Sequence, residues 1–375
     1  MKKMRDLFIR KKKQVRPLEA IQVGISPCCN LKCTFCPTTF IHEKNARIMN
    51  IEDFSLLKPY FSWANWIYLQ GWGEPLLNKN IWEMASLVKA SDAKVGFTTN
   101  GTLMGTEVSE NLVKNNIDII SVSIAGDASA SHNKLRKGSE FTTIIKNIKA
   151  LVSMKNRYNS PTPKISLSYM LTKESILHLP DTVKLAHDIG ADDLYAINLD
   201  YVFSYETNES KIFTWGEKPR QDYANIMAES KKIAAERKFS FRSYLLSMEE
   251  QEPVCELDPN RFVFVTDDGD ITPCTYLGRT INPRVFQDKL INLPRKTFGN
   301  IKDNSFEEIW NSADYMEFRS KFTVRLEEYK LLMNTYADYE PSLIILKQAE
   351  KRYSEALEKN PLPIECQSCP KAYGI

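Results

Sequence analysis

The stretch Cys28-Cys29-Asn30-Leu31-Lys32-Cys33-Thr34-Phe35-Cys36-Pro37 decides the fold, because Cys29, Cys33 and Cys36 stand at C-x3-C-x2-C spacing just after an apolar, strand-like run at 19–26. Cubes of the [4Fe-4S] type are normally held by four cysteine thiolates. A loop that offers three leaves one iron open to another ligand, and an iron with an open position is reactive. A zinc knot is the alternative reading of such a loop, although zinc sites favour paired C-x2-4-C hooks.

Outward from this loop, strand-like runs at 19–26, 66–70, 94–99, 119–124, 164–171 and 193–199 alternate with amphipathic segments near 51–60, 80–90, 106–115, 141–154 and 179–189. That alternation predicts a parallel sheet with helices outside. Six units are too few for a closed eight-stranded barrel and suit an open α/β fold, a partial (β/α)6 barrel. In parallel α/β sheets ligands gather at the carboxyl ends of the strands, where the cysteine loop falls. Around 200–218 the alternation fails, a helical stretch at 222–237 leads to another strand-like run at 239–246, and the polar, proline-ended Glu249-Glu250-Gln251-Glu252-Pro253 marks a boundary. The predicted organisation is a basic N-terminal tail at 1–17, the barrel at 18–250 and a second domain at 251–375 with a helical insertion at 305–359.

A chain of 375 residues, 43% hydrophobic and 26% charged, has room for two or three domains and an ordinary globular core. No apolar stretch approaches the roughly 20 residues that span a bilayer, so no membrane span is expected. The segment 1–16 is basic but lacks the apolar core of a signal peptide, which predicts a cytoplasmic protein. In that compartment eight cysteines point to metal or catalysis rather than disulfides. The basic run reads as a solvated tail, and a formal net charge of only +3 argues against a nucleic-acid partner.

Two further elements fall at strand ends. Gln70-Gly71-Trp72-Gly73-Glu74-Pro75 closes the second strand candidate; its glycines let backbone approach a ligand, and Glu74 can accept hydrogen bonds from an ammonium group. The other four cysteines, Cys255, Cys274, Cys366 and Cys369, form a second set. The runs 261–266 and 270–272 read as a hairpin around Asp267-Asp268-Gly269, placing Cys255 and Cys274 at its two ends. Four thiolates saturate one cube, and a four-cysteine zinc site is the alternative.

The three-cysteine loop, with an aromatic residue before Cys36 and a strand before Cys29, resembles the radical S-adenosylmethionine (SAM) superfamily. Gly73-Glu74-Pro75 is similar to that family's G-G-E-P element, which binds the SAM amine. Trp72 stands where the first glycine is usual, with Gly71 before it. Thr99-Asn100-Gly101 resembles the T-N-G element. Ser123-Ile124-Ala125-Gly126, followed by His132 and Arg136, resembles an S-x-D-G stretch with its histidine and arginine, Ala125 replacing the aspartate. The resemblance implies that Cys29, Cys33 and Cys36 hold a [4Fe-4S] cluster bound with SAM, and that Gly71, Gly73, Glu74, Asn100, Ser123 and Arg136 bind the cofactor. It implies reductive cleavage of SAM to a 5′-deoxyadenosyl radical that abstracts a substrate hydrogen atom, and an electron donor such as flavodoxin or ferredoxin.

The C-terminal pattern, C-x13-G-x4-C and then C-x2-C, resembles a SPASM domain shortened to the twitch form. This implies one auxiliary [4Fe-4S] cluster on Cys255, Cys274, Cys366 and Cys369. Cys28 alone is spare, which disfavours epimerisation by way of a cysteine hydrogen donor. Within the twitch group, loss of hydrogen from an alcohol carbon ends with an electron passed to the second cluster. The expectation is therefore oxidation of a small molecule such as a sugar or cyclitol. The alternatives are a SPASM-type peptide or protein maturase and, in another class, a non-catalytic iron-sulfur or zinc scaffold. Tyr169, Asn198, Asp200 and Tyr201 are candidate substrate contacts at the barrel mouth, and no catalytic base is assigned.

Overall fold

The computed structural model of the chain describes residues 16–40, 47–248, 251–337 and 342–375. The predicted tail therefore lies outside the described residues up to position 15, as does the Glu249-Glu250 half of the expected boundary. One sheet organises the molecule. Its strands are β1 (Leu18–Val23), β2 (Ala64–Tyr68), β3 (Lys94–Thr99), β4 (Ile119–Ile124), β5 (Lys164–Leu171), β6 (Asp193–Asn198), β7 (Ser240–Ser243), β8 (Phe262–Val265), β9 (Asp270–Thr272) and β10 (Gly299–Asn300). They follow the order β7-β6-β5-β4-β3-β2-β1-β8-β9-β10. The first eight in that order run parallel, and β9 and β10 are antiparallel additions.

The six strand candidates of the sequence are the middle of this sheet, which is an open, partial barrel. It extends at both edges. β7 arises from the run after the helix Gln221–Glu236 and pairs with β6, Ser240 opposite Asp193. β8 is the first arm of the expected hairpin, with Phe264 opposite Thr272, but it also lies parallel to β1, Ala20 opposite Phe262 and Val23 opposite Val265. Periodicity cannot reveal that pairing, because a short buried run reads alike beside any neighbour.

Strand parity sorts the two faces of the sheet. In β5, Ile165, Leu167, Tyr169 and Leu171 are fully buried towards the helices, while Ser168 and Met170 face the barrel interior. The helix Phe141–Arg157 shows the matching pattern, burying Phe141, Ile144, Ile148 and Leu151 at helical spacing.

Among the described residues between Cys274 and Cys366 lie three helices, Phe306–Trp310, Ala313–Ala337 and Leu343–Lys359. The long one anchors the second cysteine set. Arg325 is fully buried, its Nε donating to the Pro253 carbonyl at 3.0 Å and its Nη atoms to those of Asn360 (3.2 Å) and Glu252 (3.1 Å). One guanidinium thus ties the segment leading into Cys255 to the segment leading back to Cys366. Phe318 and Phe322 of the same helix line the cavity that the four cysteines face. Among the described residues no helix is long and apolar enough to cross a membrane.

Candidate active site

A cavity of about 390 Å3 opens at the carboxyl ends of the barrel strands, and Cys29, Cys33, Cys36, Gly71, Gly73, Glu74, Asn100, Ser123 and Arg136 all line it. Local pairing sets the cysteine loop. Cys33 lies opposite Arg136 in a short antiparallel ladder, and the Thr34 N–H donates to the Leu135 carbonyl at 2.9 Å. Phe35, the aromatic residue before Cys36, packs among Leu31, Ala125, Leu135 and Leu199, which fixes the turn between the second and third thiols. Ala125, in the place of an aspartate, is part of this apolar cluster.

Three donors hold Glu74. Its Oε1 accepts from the Thr99 hydroxyl at 2.6 Å and the Leu76 N–H at 3.2 Å, and its Oε2 accepts from the Asn100 N–H at 2.8 Å. Burial nonetheless raises its pKa, against those donors and Arg136. Oε2 retains acceptor capacity towards the cavity, the arrangement an ammonium group satisfies. Gly73 is wedged against backbone: a Cβ there would lie 2.3 Å from the Cys28 carbonyl oxygen and 2.4 Å from that of Ser26.

Arg136 is buried, with its Nη1 4.0 Å from Cys33 Sγ and its guanidinium 5.3 Å from the Phe35 ring centroid. Its Nε has no partner, and no carboxylate among the described residues forms an ion pair with it. A buried cation with a spare donor beside the cavity suits a ligand carboxylate. Burial pushes Cys29 up to about 11, with Glu74, Cys33 and Cys36 adding to the shift against the Leu31 N–H, and burial raises Cys33 against the pull of Arg136. Iron bound here would neutralise these sulfurs as thiolates, with release of protons on loading.

The second cysteine set converges as well. Cys255, Cys274, Cys366 and Cys369 line one cavity with Tyr276, Leu277, Arg284, Phe318 and Phe322. Each thiol is raised chiefly by burial, Cys274 to about 12, and Cys369 adds to the shift of the other three. Four buried sulfurs that repel one another as thiolates fit a polynuclear iron centre, which takes one thiolate on each iron.

Aromatic side chains join the two cavities. Trp72 donates its indole N–H to the Thr275 carbonyl at 3.0 Å and meets the Tyr201 ring edge-on at 4.9 Å. Tyr201 stacks on Tyr276 with centroids 5.7 Å apart, and Tyr276 lines both cavities. Asp200, also at the cavity, accepts from the Tyr276 hydroxyl at 2.6 Å and pairs with Lys371 at 3.0 Å. Sequence reasoning missed Tyr276, Arg284 and Lys371, since nothing near the C-terminal cysteines marks which neighbours turn towards the barrel. Trp72 alone carried a signal, by replacing a glycine.

Two candidates are corrected. Tyr169 and Asn198 do not line the cavity; Ser168, Met170, Ile197 and Leu199, of the opposite strand parity, do. Tyr169 donates its hydroxyl to the Ser175 carbonyl at 2.5 Å, and Asn198 its amide to that of Leu245 at 2.9 Å. Asp200 and Tyr201, past the end of β6, do reach the cavity.

His132 supports the cysteine loop from behind. It is fully buried, its Nδ1 accepts the Ala125 N–H at 3.2 Å, and its ring centroid lies 5.1 Å from that of Phe141. Burial, with Arg136 nearby, holds its pKa down at about 3. The unfolded chain protonates the same ring near pH ~6.5, so stability present above that pH is lost as pH falls towards the folded value. The iron-free protein is expected to lose about 2 kcal/mol between pH 7 and 5 from this residue. Urea midpoints at both pH values should show a flatter dependence in His132→Gln; an unaltered slope in that variant would count against the assignment.

Residues 23–201 match the family model described as the radical SAM superfamily, and residues 255–331 match SPASM, an iron-sulfur cluster-binding domain. Barrel, three-cysteine loop and second cysteine set define an iron-sulfur enzyme that binds SAM. The chain belongs to the radical SAM superfamily and carries a C-terminal SPASM domain, so its cofactors are the radical SAM [4Fe-4S] cluster and auxiliary iron-sulfur centres.

A similar curated protein is the tungsten-containing aldehyde ferredoxin oxidoreductase cofactor-modifying protein of Pyrococcus furiosus, 26% identical over 310 residues, covering 80% of this chain and 83% of that one. Among solved structures, Streptococcus suis SuiB bound to S-adenosylmethionine aligns with a TM-score of 0.60 at 18% identity, over 82% of this chain and 68% of that chain. The structure of anSMEcpe with bound AdoMet and Cp18Cys peptide aligns at 0.57 and 20% identity, over 92% and 97%. These likenesses establish the shared fold. The SPASM match ends before Cys366 and Cys369, whose place in the second set rests on the geometry described above.

Proposed function

We propose that this enzyme cleaves SAM reductively and uses the resulting radical to oxidise a small, hydroxyl-bearing molecule such as a sugar or cyclitol, with one auxiliary cluster on Cys255, Cys274, Cys366 and Cys369. The observation that carries the reading is that Tyr276 walls both the SAM cavity and the four-cysteine cavity. In it, Cys29, Cys33 and Cys36 hold the first cluster, which when bound supplies the electron that breaks the sulfur-carbon bond of SAM. Glu74 receives the SAM ammonium on Oε2, and Arg136 receives its carboxylate. Gly71 and Gly73 allow backbone to approach the methionine part, while Asn100 and Ser123 line its flank. Trp72, Tyr201 and Tyr276 exclude water on the far side, and Gln22, Gln70, Ser168 and Asp200 provide polar groups for a compact, hydroxyl-rich substrate.

A zinc scaffold is disfavoured by the Gly73-Glu74-Pro75 turn, since a scaffold needs no amine-binding carboxylate beside its metal loop, and Glu74 lines the same cavity as Cys29, Cys33 and Cys36. A second substrate reading, a peptide side chain, is favoured by a larger groove of about 740 Å3 that meets the SAM cavity across Phe35 and Pro37 and is lined by Phe40, Phe203 and Glu206.

The test is anaerobic reconstitution followed by iron, sulfide and zinc counts and an assay for 5′-deoxyadenosine. About eight irons per chain and SAM cleavage on reduction are expected; bound zinc and no cleavage would overturn the reading. Separate small-molecule and peptide fractions then decide the substrate class, since only the true class should stimulate 5′-deoxyadenosine release.

A further inference from the structure

Arg284 has no role in the account so far, yet it is the cation that faces the four cysteines without a counter-charge. It stands on the short strand Arg284–Phe286, is buried, and lines the four-cysteine cavity. Its Nη2 donates to the Tyr276 carbonyl at 2.5 Å and its Nε to that of Ile281 at 3.4 Å, both neutral acceptors. The guanidinium sits 4.7 Å from the Tyr201 ring centroid, so it also backs the aromatic wall of the SAM cavity. No carboxylate among the described residues forms an ion pair with it. Lys371, the other buried cation on this cavity, is already neutralised by Asp200 at 3.0 Å and Glu256 at 2.9 Å.

A buried positive charge needs compensation, and a cube ligated by four thiolates is anionic in both of its oxidation states, more so after it gains an electron. We propose that Arg284 tunes the auxiliary cluster, raising its reduction potential so that the cluster accepts an electron from the cavity rather than donating one. At the cluster the couple is the addition of one electron, with no bond made or broken there. The electron comes from the substrate radical left by hydrogen abstraction at the hydroxyl-bearing carbon, which becomes a carbonyl as it gives up that electron and releases its O–H proton to water. The inference rests on the oxidative reading above and supplies the direction of electron flow that it requires. Arg284 acts here as a positioning residue, through charge alone.

The test is a redox titration of reconstituted protein followed by electron paramagnetic resonance, with the auxiliary signal identified as the one that SAM leaves unchanged. Arg284→Gln keeps a donor for the Tyr276 carbonyl and removes the charge. Its auxiliary midpoint should fall by an amount equivalent to about tenfold in the one-electron equilibrium, or ~59 mV. Arg284→Lys should stay near wild type, and Lys371→Met should shift less than Arg284→Gln. An unchanged midpoint in an Arg284→Gln protein with full iron overturns the proposal while leaving the two-cluster reading intact. Loss of the cluster in both Arg284 variants would make the residue a folding element and overturn it equally. A wild-type protein with only about four irons would instead sink the two-cluster reading itself.

Discussion

Cys33→Ala is expected to abolish 5′-deoxyadenosine formation, by at least about 100-fold, while leaving the auxiliary iron in place. Of the three loop thiols Cys33 is the one buried, and its backbone pairs directly with Arg136. On the proposed cluster, removing its sulfur leaves a second iron without a protein ligand and also removes the sulfur beside that guanidinium. Two effects therefore fall on one substitution: the first cluster is lost, and an unpaired buried cation is left facing the cavity. Reconstituted protein should hold about four irons instead of about eight. SAM cleavage at the wild-type rate in this variant would remove Cys33 from the cluster.

Gly73→Ala is expected to be nearly as damaging, although it deletes nothing. The added methyl would lie 2.3 Å from the Cys28 oxygen, 2.4 Å from the Ser26 oxygen and 2.7 Å from the Pro27 carbonyl carbon, all backbone atoms. No rotamer relieves that overlap. The segment leading into Cys29 must move, and the Glu74 N–H bond to the Cys28 carbonyl, 2.7 Å long, must stretch with it. The cost is about 1–3 kcal/mol in stability, but the larger effect falls on the site, because the overlap lies between the segment leading into Cys29 and the turn that carries Glu74. Iron content and SAM binding by equilibrium dialysis should both drop, and a variant that binds SAM within about twofold of wild type would show the loop to be softer than this packing implies.

How far the sequence carries depends on whether the participants are close neighbours along the chain. Cys29, Cys33 and Cys36, and likewise Gly73 and Glu74, sit within single turns, so spacing alone places them together. Asn100 and Ser123 come from successive strand ends, and a parallel sheet delivers such residues to one edge; Arg136 follows the helix Ser129–Leu135 and is brought in by its antiparallel pairing with Cys33. Tyr169 and Asn198 fail for a related reason. Strand ends specify a rim, but the choice of face turns on a one-residue parity that apolar runs buried on both sides do not display. Tyr276, Arg284 and Lys371 were out of reach because their position depends on how the second cysteine set docks, and that docking is decided by a strand pairing between residues about 240 apart in sequence.

That pairing of β8 with β1 has a mechanical consequence. The two cysteine-bearing halves are joined through a single hydrogen-bonded ladder and are not beads on a tether, so they cannot breathe apart without unzipping the sheet between its seventh and eighth strands. Admission of a guest must then come from side chains and loops at the rim. On the oxidative reading proposed above, the gap an electron would tunnel across is then set by this ladder at folding.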